Sequence, residues 1–350
     1  MKNYSFKISI LYIFIFIWNF IFSNCFLAPI DKKKSTLLEI FILNKLLEPA
    51  SNAYARMFFM NPILLNDTKN TTYLSDDVTL SLNSKKKLVL IHGWNLSDPT
   101  EPTYPSDKNI KDRIISQWDH LLNTNQNFLV SVLAKNYDIY FFTYLTSSSI
   151  ENNGILFRNN LDKQFSTQNS NVFIFAHSMG GLVSRIALYQ NGVPVYLSKI
   201  ISSGTPYHGS PWASSVFQND KSVIGDIANF ITNTEGGKNL AWDNFDSSLS
   251  GASNSLLEKY NSSTSRDSYI NAYYGSIDSS ISSYSGSDSS LLIGCTTLGS
   301  KYSPSDCIVP QSSASFIGGG NQSIDIGKFQ HIDMNLRVPA LTTQVLSNLP

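Results

Sequence analysis

The sequence predicts an α/β protein, with a mostly parallel sheet, helices on both faces and a helical insertion late in the chain. Two observations carry this. Short apolar runs with little polar alternation recur between residues 86 and 204, as in strands buried on both faces. Helical apolar periodicity fills the gaps between them, and strands alternating with helices imply a parallel sheet. A chain of 350 residues is long enough to bury a core of that size.

The N-terminus is set apart. Lys2 and Lys7 precede an apolar segment from Ile8 to Phe22. That order is a secretory signal pattern, and residues 1–24 are assigned to it. A membrane anchor is the alternative, because apolar character resumes over Phe26–Ile30 and the two pieces together approach the roughly 20 residues a span needs. Ser23 and Asn24 interrupt the run and favour a signal. The stretch FSNC, ending at Cys25, resembles a relaxed bacterial lipobox, in which the cysteine becomes the lipid-modified first residue. Phe22 and Asn24 depart from the usual Leu and Gly/Ala. The expectation is an exported protein, tethered as a lipoprotein at the outer surface of a bacterial membrane or secreted.

Residues 25–85 read as a loosely organised N-terminal extension. Lys34–Pro49 has a helical apolar pattern stopped by Pro49, and 50–84 is mixed, with the turn-rich NDTKNTT inside. The first core strand is Lys86–Ile91, KKLVLI, which opens a domain over 86–350. Asp112–Asn125 follows as an amphipathic helix, Tyr137–Tyr144 as a strand, Gly154–Phe165 as a helix and Val172–Ala176 as a strand. Gly181–Gln190 is the next helix and Lys199–Gly204 the next strand. After TPYHGSPW the alternation stops. Residues from about 211 to 265 hold helical pieces such as Val223–Ile231 between glycine and serine breaks, which suggests an insertion over the sheet. Ser268–Ile277 returns to strand character. Serine, glycine and asparagine then dominate to about residue 325, with LLIG (291–294) as the strand candidate there.

Composition excludes some functions. Lys and Arg total 26, as do Asp and Glu, so no basic excess points to nucleic acid. No nicotinamide, phosphate-loop or zinc pattern is visible. If Cys25 is lipidated, Cys295 and Cys307 remain of the three cysteines. In an exported chain two cysteines are a disulfide candidate; two free buried thiols are the alternative.

The chemistry gathers around AHSMG (176–180). A strand, this turn and a helix form the context of a nucleophile elbow, which holds a serine at the C-terminal edge of a sheet. The residues two before and two after the serine must be small, and Ala176 and Gly180 are. Ser178 then sits at a helix N-terminus, whose dipole favours a developing anion. An ordinary strand–helix turn with a capping serine is the bland alternative. An acyl-transfer serine needs a base and an orienting acid, in chain order Ser, Asp, His. Of five histidines, His92, His120, His177 and His208 are placed early, inside a helix, beside the serine pointing away, or directly after a strand. His331 is left as the base. Asp306, in SPSDCIVPQSSA, is the candidate acid, with Asp278, Asp288 and Asp325 as rivals in solvated loops. The oxyanion donors are expected at the backbone N–H of Met179 and of Trp94, in the HGW that follows the first core strand.

In these residues the chain resembles an α/β-hydrolase of the lipase kind. LVLIHGW, FAHSMGGLVSRIAL, IISSGTPYHGS, SDCIVPQSSA and FQHIDM fall in the order seen in bacterial lipases and related ester hydrolases, over roughly residues 86–345 and most closely over 172–210. The resemblance implies Ser178, Asp306 and His331 as the triad, and chemistry that requires no cofactor. It also implies a lid over 211–265, in which apolar residues such as Trp212, Val216, Phe217, Val223, Ile227 and Phe230 face an acyl chain; a cap simply packed on the sheet is the alternative. Some such lipases hold a structural calcium through an aspartate two residues after the catalytic histidine. Asp333 stands there, with no second carboxylate placed, and a plain surface aspartate is the alternative. The same lipases can carry a disulfide near the acid or histidine loop, a role Cys295–Cys307 would fill at a different spacing. The expected function is a monomeric lipase or carboxylesterase acting on a lipid or small ester at a membrane surface. A phospholipase or acyltransferase with the same triad stays open, as does a non-catalytic binding protein on a hydrolase scaffold.

Overall fold

The structure, a computed structural model, describes residues 50–62, 74–75, 85–95, 98, 104–124, 126–166, 171–214, 233–242, 254–282, 284–286, 289–315 and 322–350. All of them belong to one unit, Ala50–Pro350. The expected signal, Cys25, the Lys34–Pro49 helix, Asp288 and most of the apolar lid candidates lie outside the described residues.

The strands are β1 (Arg56–Met60), β2 (Leu74–Ser75), β3 (Lys86–Ile91), β4 (Tyr137–Thr143), β5 (Val172–His177), β6 (Leu197–Ser203), β7 (Ile270–Gly275) and β8 (Gln322–Gly327). They form one sheet in the order β2-β1-β4-β3-β5-β6-β7-β8. β1 runs antiparallel to β2 and β4, and the remaining pairs are parallel. β3 and β5 lie at the centre, and every residue of β5 is buried, as expected where both faces are covered.

The period-2 alternation of each strand builds two cores. Val89, Ile91, Ile174 and Ala176 point to one face. There they meet α3 (Ile150–Phe165) through Phe157 and Leu161, and α4 (Met179–Tyr189) through Leu182, Val183 and Ile186. Leu88, Leu90, Phe173 and Phe175 point to the other face. There they meet α1 (Asp107–Asp119), α2 (Asn127–Ala134) and α7 (Pro339–Ser347) through Ile114, Trp118, Leu129 and Leu341. Helices α1 and α3 begin several residues before the expected starts. Ser106 and Ser149 cap them, each side chain accepting a backbone N–H of the first turn.

Two expectations are corrected. The sheet does not begin at Lys86: β1 and β2, from the segment set apart as 25–85, extend it beyond β4. LLIG is not a strand, because Leu292–Leu298 forms helix α6, following α5 (Ser255–Asn261). The eighth strand is instead Gln322–Gly327, a polar and largely unburied edge strand paired with β7. Of the insertion, residues 211–214, 233–242 and 254–265 are described. Trp212 is buried there against Trp242, Leu298 and Tyr302, in the manner of a packed cap.

Candidate active site

β5 ends at His177 and α4 begins at Met179, so Ser178 must reverse the chain between them within one residue. It does so at φ 53°, ψ −127°. A left-handed φ at a non-glycine residue costs of order 1–3 kcal/mol and persists only where its surroundings hold it. Ser178 N–H donates to the Ser203 carbonyl of β6 at 2.8 Å, and Gly181 N–H closes the turn onto the Ser178 carbonyl at 2.9 Å. The turn also demands bare backbone around it. A Cβ at Gly180 would lie 2.5 Å from the His92 carbonyl oxygen, and one at Gly93 would lie 2.7 Å from Ser178 Cβ.

Three chain segments meet at this point. Ser178 Oγ lies 2.8 Å from His331 Nε2, and His331 Nδ1 lies 2.7 Å from Asp306 Oδ2. An ionised carboxylate only accepts, so Nδ1 carries a proton and Nε2 presents a lone pair to the serine hydroxyl. The other carboxylate oxygen of Asp306 accepts the backbone N–H groups of Ile308 (3.1 Å) and Val309 (2.7 Å). His331 N–H donates to the Asp306 carbonyl at 2.8 Å. Asp306 is 1% exposed, Ser178 7% and His331 9%, so the whole series is shielded from bulk water. The rival acids are elsewhere. Asp278 pairs with Lys328, and Asp325 accepts from Ser276 Oγ and Gly327 N–H.

Met179 N–H belongs to the first turn of α4, where N–H groups lack an intrahelical acceptor. Trp94 follows the glycine that touches Ser178, and its ring packs on the α3/α4 core. Sequence reasoning missed what steadies this loop. Asp98 binds Arg113 and accepts both the N–H (2.6 Å) and the hydroxyl (2.8 Å) of Thr146, while Asn95 N–H donates to that hydroxyl at 3.2 Å.

Cys295 and Cys307 are bonded to each other, joining α6 to the residue after Asp306. Asp333 does not fit a calcium ligand. Oδ2 accepts Tyr284 OH at 3.0 Å and Gln330 N–H at 3.1 Å, clamping the turn that carries His331. Calcium takes six to eight oxygens, and no group of three or more His, Cys, Asp or Glu among the described residues is placed to hold a metal.

Burial acts on two of the other histidines. Desolvation, then Arg113, pushes His92 down to about 4; desolvation, then Arg337, does the same to His120. His208 Nδ1 bonds Asn261 Nδ2. His177 departs from expectation: its ring does not point away from the site but lies 4.9 Å from the His331 ring, centroid to centroid.

A sequence profile described as PGAP1-like alpha/beta domain matches residues 108–291, more than half of the chain. Among solved structures, the mature form of Bacillus licheniformis lipase BlEst2 superposes with a TM-score of 0.53 at 18% identity, covering 76% of this chain and 92% of that one. The propeptide form of the same lipase gives 0.50 at 16% identity, covering 75% of this chain and 50% of that one; this chain thus spans half the longer form. No curated protein sequence matches the chain. The fold is that of the α/β-hydrolases.

Proposed function

The chain belongs to the PGAP1-like alpha/beta domain family, and from that premise we propose that it is a serine ester hydrolase acting on acyl esters of lipids. The observation that carries this is the hydrogen-bonded series Ser178–His331–Asp306 at the C-terminal edge of the sheet. His331 Nε2 takes the hydroxyl proton as Ser178 Oγ attacks the ester carbonyl carbon, and later gives it to the leaving alkoxide. Asp306 holds the imidazole in the required tautomer and stabilises the imidazolium. The Met179 and Trp94 N–H groups receive the oxyanion, where one such donor is worth about 3–4 kcal/mol in the transition state. Water, activated by His331, then releases the acid. The structural neighbour called a lipase supports acyl esters as the substrate class.

We further propose that the protein works outside the cytoplasm, tethered through Cys25 or secreted. The basic and apolar N-terminus supports this, as does a Cys295–Cys307 bond of the kind that persists in oxidising compartments.

The test is an ester panel graded by acyl length, run on wild type and Ser178→Ala, with phospholipids and alcohol acceptors as further arms. Ser178→Ala is expected to lower kcat by about 10⁵-fold or more, and a fluorophosphonate is expected to label Ser178 alone. Labelling that persists in the alanine variant removes the assignment. Wild type inert on every ester returns the chain to a binding role.

A further inference from the structure

His177 is the titratable group beside the nucleophile that the acyl-transfer chemistry leaves idle. It is the last residue of β5, so the central sheet sets its backbone. Its Nε2 lies 3.0 Å from the main-chain carbonyl oxygen of His331. A carbonyl only accepts, so Nε2 carries the proton and donates. The other side of the ring faces the HGW loop, where a Cβ on Gly93 would come 3.0 Å from Nδ1.

Both peptide groups of His331 are thereby held. Its N–H is tied to the Asp306 carbonyl, and its C=O is tied to the residue before the nucleophile. We propose that His177 is a positioning residue for the reaction, fixing the main chain of His331 so that its imidazole meets Ser178 Oγ. The inference rests on the acyl-transfer function proposed above. Without this bond, the direct hydrogen bond left between His331 and residues 177–178 is that to the Ser178 hydroxyl, the one that breaks in each catalytic cycle; the neighbouring Ser203–Met334 link holds the turn three residues further on.

The electrostatics are consistent with that role. Burial, followed by the charge of the neighbouring His331, holds His177 well below the ordinary histidine range; the hydrogen bond to the His331 carbonyl opposes the shift, and His120 and Arg337 add to it. A neutral His177 adds no positive charge beside the His331 imidazolium that forms during acylation.

The test compares His177→Leu, His177→Gln and His177→Asn with wild type, reading kcat and KM on a soluble short-chain ester, the rate of fluorophosphonate labelling, and thermal melting. Glutamine puts an amide N–H close to where Nε2 lies; asparagine is one carbon short. Misplacement of a reacting group by about 1 Å costs up to about 10²-fold. His177→Leu is therefore expected to lose about tenfold to a hundredfold in kcat, with KM unchanged and labelling slowed, while His177→Gln recovers most of the loss. A folded His177→Leu with wild-type kcat overturns the inference. If the leucine variant does not fold, equal kcat in the glutamine and asparagine variants overturns it. Wild type without ester turnover overturns the inference and the function together, whereas wild-type turnover with an unaffected leucine variant overturns the inference alone.

Discussion

Ser178 and Asp306 lie within one hydrogen-bonded series, yet their supports differ. Ser178 stands between a six-residue strand and an eleven-residue helix, and main-chain ladders to β3 and β6 hold the strand. Asp306 and His331 stand on turns outside the strands and helices. They are held by separate links: two N–H groups on the carboxylate, one peptide bond partner between the two residues, the Asp333 clamp, and the Cys295–Cys307 bond. A ladder shares a disturbance among many bonds, whereas a set of separate links passes it to the side chain it holds. The acid–histidine side is therefore the side where a single remote change reaches the chemistry.

The sharpest way to break this comparison is Asp306→Asn. The amide leaves the packing of the turn largely intact but supports the wrong imidazole tautomer, and kcat is expected to fall by about 10³–10⁴-fold with little change in melting temperature. A loss below tenfold would move the acid to Asp278 or Asp325. On the nucleophile side, the sensitive point is contact rather than linkage. Gly93→Ala forces a methyl group against Ser178 Cβ, and a loss of about 10²-fold in kcat is expected in a steady-state assay. Wild-type activity there would mean that the HGW loop moves freely away from the serine.

Removing the bridge by Cys295→Ser with Cys307→Ser is expected to cost about 3 kcal/mol in urea unfolding, given a closed loop of this size. The accompanying fall in kcat is expected to be smaller than for Asp306→Asn, since the backbone bonds to the carboxylate remain. An unchanged unfolding midpoint would show that those bonds alone hold the acid turn.

Acidification is expected to show in stability rather than in turnover, and there the two sides should weaken together. His92 lies beside the elbow, and His120 Nε2 binds the Asn335 carbonyl in the histidine turn. Each is held near 4 in the native protein against an ordinary value of 6.5. The unfolded chain therefore takes up protons first, and stability falls as pH drops from 6.5 toward 4. Urea midpoints measured across that window are expected to decline, and His120→Gln to flatten the decline. A flat profile in the wild type would mean that these rings are protonated in the native state.

The same contrast governs what is legible in the chain. β3, β5, α3 and α4 are legible because each buries a continuous apolar run or stripe, and burial on both faces leaves its mark on every residue. β8 is not, since QSIDIG earns its place by main-chain pairing with β7 at a half-exposed edge. LLIG misleads because a four-residue apolar run suits a strand and a short helix equally. β1 is hidden in a mixed segment, its strand character set by antiparallel pairing with β4.

By itself the sequence determines the parallel core, the elbow and the place of Ser178, because strand, turn and helix are contiguous and local sterics dictate what fits there. It also narrows the base to His331 and the acid to four aspartates. Only the tertiary structure decides that Asp306 faces His331, that Cys295 meets Cys307, that Asp333 bonds Tyr284 and Gln330, and that His177 turns toward the His331 carbonyl. Those contacts join loops far apart in the chain. Composition and order along the chain leave such loops free to meet in many ways, and the sheet that carries them selects one.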